Sequence, residues 1–306
     1  MKSSRSLLIA LLALVPGLAS PEPARQPAAA APRQAVHAVG PQYDTTHVYV
    51  APEDFDRFVR SFVATFGGTT SKQGVFQVTP TSSQTMSQLV LTPVGTVSVF
   101  GFKTPVPYPF GAERTGYLVR DIDAATSAAV AHGATRLVDV FPDPIGRDVL
   151  VQWPGGVNMQ FYWHTTPPSY AALTTVPENR VYLTADAADA FLRRWLAFSQ
   201  GRVVSDEPAA PGAEIGRPGT TVRRVLIESG FGKLLVLVSD GQLPWPYGRD
   251  LTGYEVQDLA ATLERARQAG AEVLVPPYPA GGRQAAMVRF PGGYIAELHQ
   301  PGAEPR

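Results

Sequence analysis

The 306-residue chain carries 26 Lys and Arg against 26 Asp and Glu, so its formal net charge is zero, and it contains no cysteine. Balanced charge, with no basic cluster interleaved among aromatics, excludes nucleic acid and anionic membrane surfaces as expected partners. Without cysteine there is no disulfide and no lipid attachment through an N-terminal thiol, so packing alone must hold the fold.

In chain order, Lys2 and Arg5 precede an apolar run from Leu7 to Val15, and Gly17-Leu18-Ala19 supplies small residues for cleavage. This pattern reads as a signal peptide over 1-19, making the protein exported, either periplasmic or secreted. The run falls short of the roughly 20 apolar residues a membrane span needs, so no membrane contact is expected after cleavage. Residues 20-42 are rich in Ala and Pro, lack periodicity and read as a flexible tether in which His37 is solvated.

Thr45-Thr-His47-Val-Tyr49-Val alternates as a strand. Phe55, Phe58, Val59, Phe62, Val63 and Phe66 then recur at helical spacing up to a stop at Gly67. Strands are expected at Val75–Val78, at Gln88–Thr92 and at Val97–Phe100. A second unit follows: strand Tyr117–Val119, a helix capped by Asp121 and stopped at Gly133, then strands at Arg136–Val140, Val149–Gln152 and Asn158–Tyr162.

Residues 107-161 recur at 244-298 in a constant register of 137, with Gly116 matching Gly253, Asp121 matching Asp258 and Pro154 matching Pro291. The segment 166-177, with Pro167-Pro168, separates a first domain over 43-165 from a second over 178-301. Each domain is two βαβββ units, and helices interspersed with antiparallel hairpins make the class α+β.

Val119-Arg-Asp-Ile-Asp123 and Pro291-Gly-Gly-Tyr-Ile-Ala-Glu-Leu298, with the His-bearing first strand, resemble the vicinal oxygen chelate superfamily. That group holds glyoxalase I, bleomycin-resistance and fosfomycin-resistance proteins and extradiol dioxygenases. The resemblance spans residues 43-301. It implies two tandem glyoxalase-like domains, each an open curved sheet with helices outside, whose concave face takes a small ligand and often a divalent metal. The family's three ligand positions carry over to His47, Arg114 and Gln160 in the first domain and to Arg180, Leu251 and Glu297 in the second. Neither set is complete, because Arg stays protonated and Leu has no donor atom.

Strand parity puts His47, Tyr49, Asn158, Gln160, Tyr162, Arg180, Tyr182, Glu297 and His299 on the cup face. Val48, Val50, Met159, Phe161, Trp163, Val181, Leu183, Ala296 and Leu298 fall on the helix-covered face. If units pair within domains, Arg180 meets Glu297 as an ion pair. If they exchange between domains, His47 meets Glu297 and the two could hold Zn, Fe, Mn or Ni. The first packing is the expected one, since domains keep their own cores.

The Pro-aromatic-Pro-aromatic-Gly runs at 107-111 and 244-248 are either stiff connectors or aromatic walls for the cups. The functional reading is a protein, monomeric or homodimeric, that binds a small organic molecule through His47, Tyr49, Arg114, Gln160, Tyr162, Arg180, Tyr182 and Glu297, with no cofactor. Its alternatives are a metal-dependent lyase, isomerase or ring-cleaving dioxygenase using His47 and Glu297, or a scaffold for protein contacts.

Overall fold

A computed structural model describes residues 37-248 and 251-302; the expected signal peptide and residues 20-36 of the tether lie outside the described residues. The first domain runs β1 (Asp44–Tyr49), α1 (Phe55–Phe66), β2 (Thr69–Thr70), β3 (Gly74–Phe76), β4 (Thr85–Thr92) and β5 (Gly95–Phe102). It continues with β6 (Thr115–Leu118), α2 (Ile122–Ala131), β7 (Thr135–Asp143), β8 (Gly146–Trp153) and β9 (Val157–His164). The second repeats this as β10 (Glu178–Leu183), α3 (Ala185–Ser199), β11 (Arg202–Pro211), β12 (Thr221–Ser229) and β13 (Gly232–Val238). Then come β14 (Leu251–Glu255), α4 (Leu259–Gln268), β15 (Glu272–Ala280), β16 (Arg283–Arg289) and β17 (Ile295–Pro301).

Each domain is one curled mixed sheet, ordered β2-β4-β5-β1-β6-β9-β8-β7, with β3 on β4, in the first and β11-β12-β13-β10-β14-β17-β16-β15 in the second. The two units of a domain join where β1 meets β6 and where β10 meets β14, both antiparallel. The strand expected at 75-78 is shorter than the pattern suggested, with β2 and β3 sharing its place along β4.

Helix ends follow local chemistry. The Asp121 carboxylate accepts from the amides of Asp123 and Ala124 at 3.0 and 2.9 Å, and Asp258 caps α4 through Ala261 N at 2.9 Å. The helices lie on the outer side of each curled sheet, and there they meet those of the other domain. Phe55, Phe58 and Phe62 of α1 are fully buried in one core with Leu259, Leu263 and Ala266 of α4. Ile122, Ala125 and Ala129 of α2 share a second core with Phe191, Trp195 and Phe198 of α3. Each of the Phe, Leu and Ile side chains so removed from water contributes about 1.5–3 kcal/mol. Both helix pairs are tied by an arginine that donates to a carbonyl ending the partner helix: Arg265 Nε to Thr65 O at 3.0 Å, and Arg194 Nη1 to Gly133 O at 2.9 Å.

Hydrogen bonds across the domain junction repeat this symmetry. Tyr254 hydroxyl donates to Thr46 Oγ1 at 3.3 Å, and Thr46 Oγ1 lies 3.0 Å from Thr252 Oγ1. At the matching places Asn179 Nδ2 donates to Tyr117 hydroxyl at 3.3 Å and to Asp44 Oδ2 at 2.5 Å.

Residues 37-42, expected to be tether, are instead packed. His37 stacks on Phe198 with ring centroids 5.4 Å apart, its carbonyl accepts from Arg120 N, and Ala38 bridges Val119. β1 pairs with β6 only as far as Tyr117, and residues 37-39 take up the pairing beyond it along Leu118 to Arg120.

Candidate ligand site

Strand alternation sends the same sheet positions of both domains into a cup, and the two cups are filled differently. In the second, Arg180 from β10 is 1% exposed and Glu297 from β17 is fully buried, with Arg180 Nη2 2.9 Å from Glu297 Oε1. Arg180 also reaches Glu178 at 3.1 Å, Arg283 reaches Glu178 at 2.9 Å and Glu214 at 3.3 Å, and Arg224 reaches Glu214 at 2.6 Å. His299 Nδ1 lies 2.8 Å from Glu297 Oε2. Burial alone would raise the Glu297 carboxyl, but Arg180, His299 and Arg283 outweigh it and hold the group down to about 2. Glu178 is likewise held well below the usual carboxylate range, against the cost of burial, by Arg283, His299 and Arg180.

The first cup holds a half-open cavity of about 120 Å³, similar in volume to the roughly 150 Å³ sealed cavity that accepts a benzene ring in an engineered protein core. Its walls include His47, Tyr49, Ser98, Phe100, Phe110, Asp143, Asp148, Gln160, Tyr162 and Tyr170. His47 is seated by Gly116 of β6, where a Cβ would come within 2.3 Å of His47 Nε2; Gly253 plays the same part under Arg180 and Glu297 at 2.9 Å. The paired glycines mark close approach of a cup side chain to the neighbouring strand.

Behind the cavity, the Tyr49 hydroxyl donates a short hydrogen bond to Glu113, and His47 Nδ1 lies 3.4 Å from Glu113 Oε1. Burial, then the Glu113 charge, pushes the Tyr49 phenol well above its ordinary value. Asp148 is 5% exposed and lines the cavity. Its carboxyl is raised well above the ordinary value by burial, then by repulsion from Asp143 and Glu113.

The expected site residues therefore divide. His47, Tyr49, Gln160 and Tyr162 surround one cavity, while Arg180 and Glu297 close on each other and Tyr182 packs among apolar neighbours of the second cup. Arg114 is half-buried in a crevice with Tyr117, Asn158, Met159 and Asn179, and is not among the walls of the His47 cavity. Its neighbour Glu113 takes the cup side, because the chain turns before β6 begins. The pairing of His47 with Glu297 does not occur: β1 and β17 belong to different sheets, and Arg180 occupies the carboxylate.

The aromatic connectors are part wall and part surface. Phe110 packs on Phe141 and Leu150 at the cavity, and Tyr247 packs with Leu251 and Met287, whereas Tyr108 is 84% and Trp245 58% exposed.

The donor set does not fit the metal that the resemblance implies. A permanent cation stands at the first ligand position of the second domain, and the first domain offers His47 and Gln160 without the third ligand. Among the described residues no three His, Cys, Asp or Glu side chains gather to hold an ion.

This architecture is a tandem pair of glyoxalase-like domains, the fold of the vicinal oxygen chelate superfamily. Among solved structures, the chain is similar to a variant of 4-hydroxymandelate synthase from Streptomyces coelicolor (TM-score 0.55, 13% identity, covering 90% of this chain and 95% of that one). It is also similar to the 2,3-dioxygenase LapB from Pseudomonas sp. KL28 (TM-score 0.53, 10% identity, covering 89% and 95%). No protein-family model matches the chain and no curated protein sequence is significantly similar to it.

Proposed function

We propose that the chain binds a small organic molecule in the cup of its first domain without a resident metal, while the second cup is an internally neutralised counterpart that carries structure. The observation behind this reading is the contrast between equivalent positions: His47 and Gln160 border a cavity, and Arg180 and Glu297 close on each other. A small-molecule panel read by thermal shift tests it, with Ser98→Phe as the cavity-filling control. Stabilisation by a ligand in the wild type that is lost in the control supports the cup; equal stabilisation in both places the ligand elsewhere.

A second reading keeps metal-assisted chemistry in the same cup. It is favoured by Glu113 Oε2, which is buried without a hydrogen-bond partner. With His47 it makes two of the three His or carboxylate donors usual for catalytic zinc, and Gln160 adds only a neutral amide oxygen. Metal analysis of purified protein and of His47→Ala and Glu297→Gln separates the two. A stoichiometric metal lost in His47→Ala alone supports the second reading, and no stoichiometric metal in any form supports the first. Export, inferred from residues 1-19, and a monomeric or homodimeric state complete the proposal.

A further inference from the structure

The charge around the two cups is unequal. In the second, Arg180, Arg283 and Arg224 pair with the buried Glu178, Glu214 and Glu297, and Arg224 also reaches the more exposed Glu207. The first cavity has carboxylates in its wall, Asp143 and Asp148, and neither Lys nor Arg. The groups that face Asp148 are Asp143 of β7, Glu113 ahead of β6, Tyr162 and His164 of β9, and His47 of β1 across the cavity. Glu113 is already engaged by Tyr49 and His47, and burial lowers the His164 imidazole towards its neutral form. Arg147, beside Asp148 in sequence, pairs with Asp123 and lies over the Trp163 ring.

The Asp148 side chain is thus more than nine-tenths buried, lines the cavity, and receives no hydrogen bond or ion pair from any described residue. A carboxyl in that setting is costly unless something arrives to pair with it. Around it stand the rings of Tyr49, Phe100, Phe110, Tyr162 and Tyr170, whose faces attract a cation and exclude an anion.

Resting on the cup reading, we infer that the first domain takes an organic cation: a protonated primary amine attached to one ring-sized apolar body. The ammonium is held by Asp148 and the body lies among the aromatic walls. The cavity's volume sets the size of the body, and the missing cation among its walls sets the charge.

Three probes with the same ring, similar size and different charge test this on the full chain at neutral pH by calorimetry: benzylamine, benzyl alcohol and benzoate. Benzylamine is expected to bind at least about tenfold more tightly than benzyl alcohol, the worth of one charge-assisted hydrogen bond, with benzoate weakest. Asp148→Asn should bring benzylamine down to the level of benzyl alcohol and leave the alcohol unchanged. If Asp148→Asn fails to fold, Asp148→Ser serves, and the probe ranking on wild type stands by itself. Equal binding of alcohol and amine, or tighter binding of benzoate, overturns the cation assignment; if that binding is lost in Ser98→Phe, the cup reading survives it. Probes that all bind but are unaffected by Ser98→Phe overturn both, as does the absence of binding by any probe.

Discussion

Arg180 Nη2 and Glu297 Oε1 stand 2.9 Å apart, fully enclosed, at the two strand positions that correspond to His47 and Gln160 in the first domain. A guanidinium thus supplies the positive charge against which the last strand's carboxylate is neutralised. Glu178 and Glu297 both accept from the same guanidinium nitrogen, which offsets the cost of burying the charge.

Arg180→Ala should therefore lower stability by about 3–5 kcal/mol, because it strands a buried carboxylate instead of deleting a pair. Glu297→Gln, which leaves a hydrogen-bonding group in place, should cost less, about 1–3 kcal/mol. Chemical denaturation of the two variants gives the comparison. Equal losses would mean that the charge of the pair contributes nothing.

Acid should attack this network first. The Glu297 carboxyl, near 4.5 when unfolded, is held down to about 2 in the folded protein. Its stabilising contribution is complete above pH ~4.5 and is lost as pH falls towards ~2, with Glu178 adding to the slope. Denaturation midpoints between pH 6 and 2 should fall steeply below pH ~4.5 in wild type and more gently in Glu297→Gln.

Asp148 has the opposite sign. Its folded value is raised, so the favourable state is the protonated one, present below the ordinary aspartate value and lost as pH rises through the folded value. Asp148→Asn is expected to stabilise the free protein at pH 7 by about 1–3 kcal/mol, the usual relief for an unpaired buried polar group. A melting temperature unchanged or lowered in Asp148→Asn would show that its carboxyl already has a partner in solution.

Mass spectrometry of the periplasmic or culture fraction should find a protein beginning near Ser20, as the charge and apolar pattern of residues 1-19 implies. Intact Met1 in that fraction would remove the export proposal.

The architecture was legible because a 55-residue repeat in constant register carries its own caps and stops: Asp121 and Asp258 do cap helices, and alternation in β1, β9, β10 and β17 did separate cup from core. The site was less legible. Residue-by-residue transfer pointed to Arg114, but backbone direction just ahead of a short strand is not encoded by periodicity, and Glu113 took the inward place. Asp148 could have been found, since Val149, Val151 and Trp153 fill the core side of β8 and leave Asp148, Leu150 and Gln152 for the other. His37 and Ala38 were hidden by the composition around them. The cavity itself rests on side-chain volumes from six strands and has no local signature.

The crossed helix contacts, α1 with α4 and α2 with α3, make each half of the chain depend on the other. The first unit of one half covers the second unit of the other, and the reciprocal contact does the same, which is the isologous geometry of a twofold dimer. A lone half would expose the apolar faces of both its helices to water. Carrying both halves on one chain makes that pairing intramolecular, so the cover over each helix face does not depend on protein concentration.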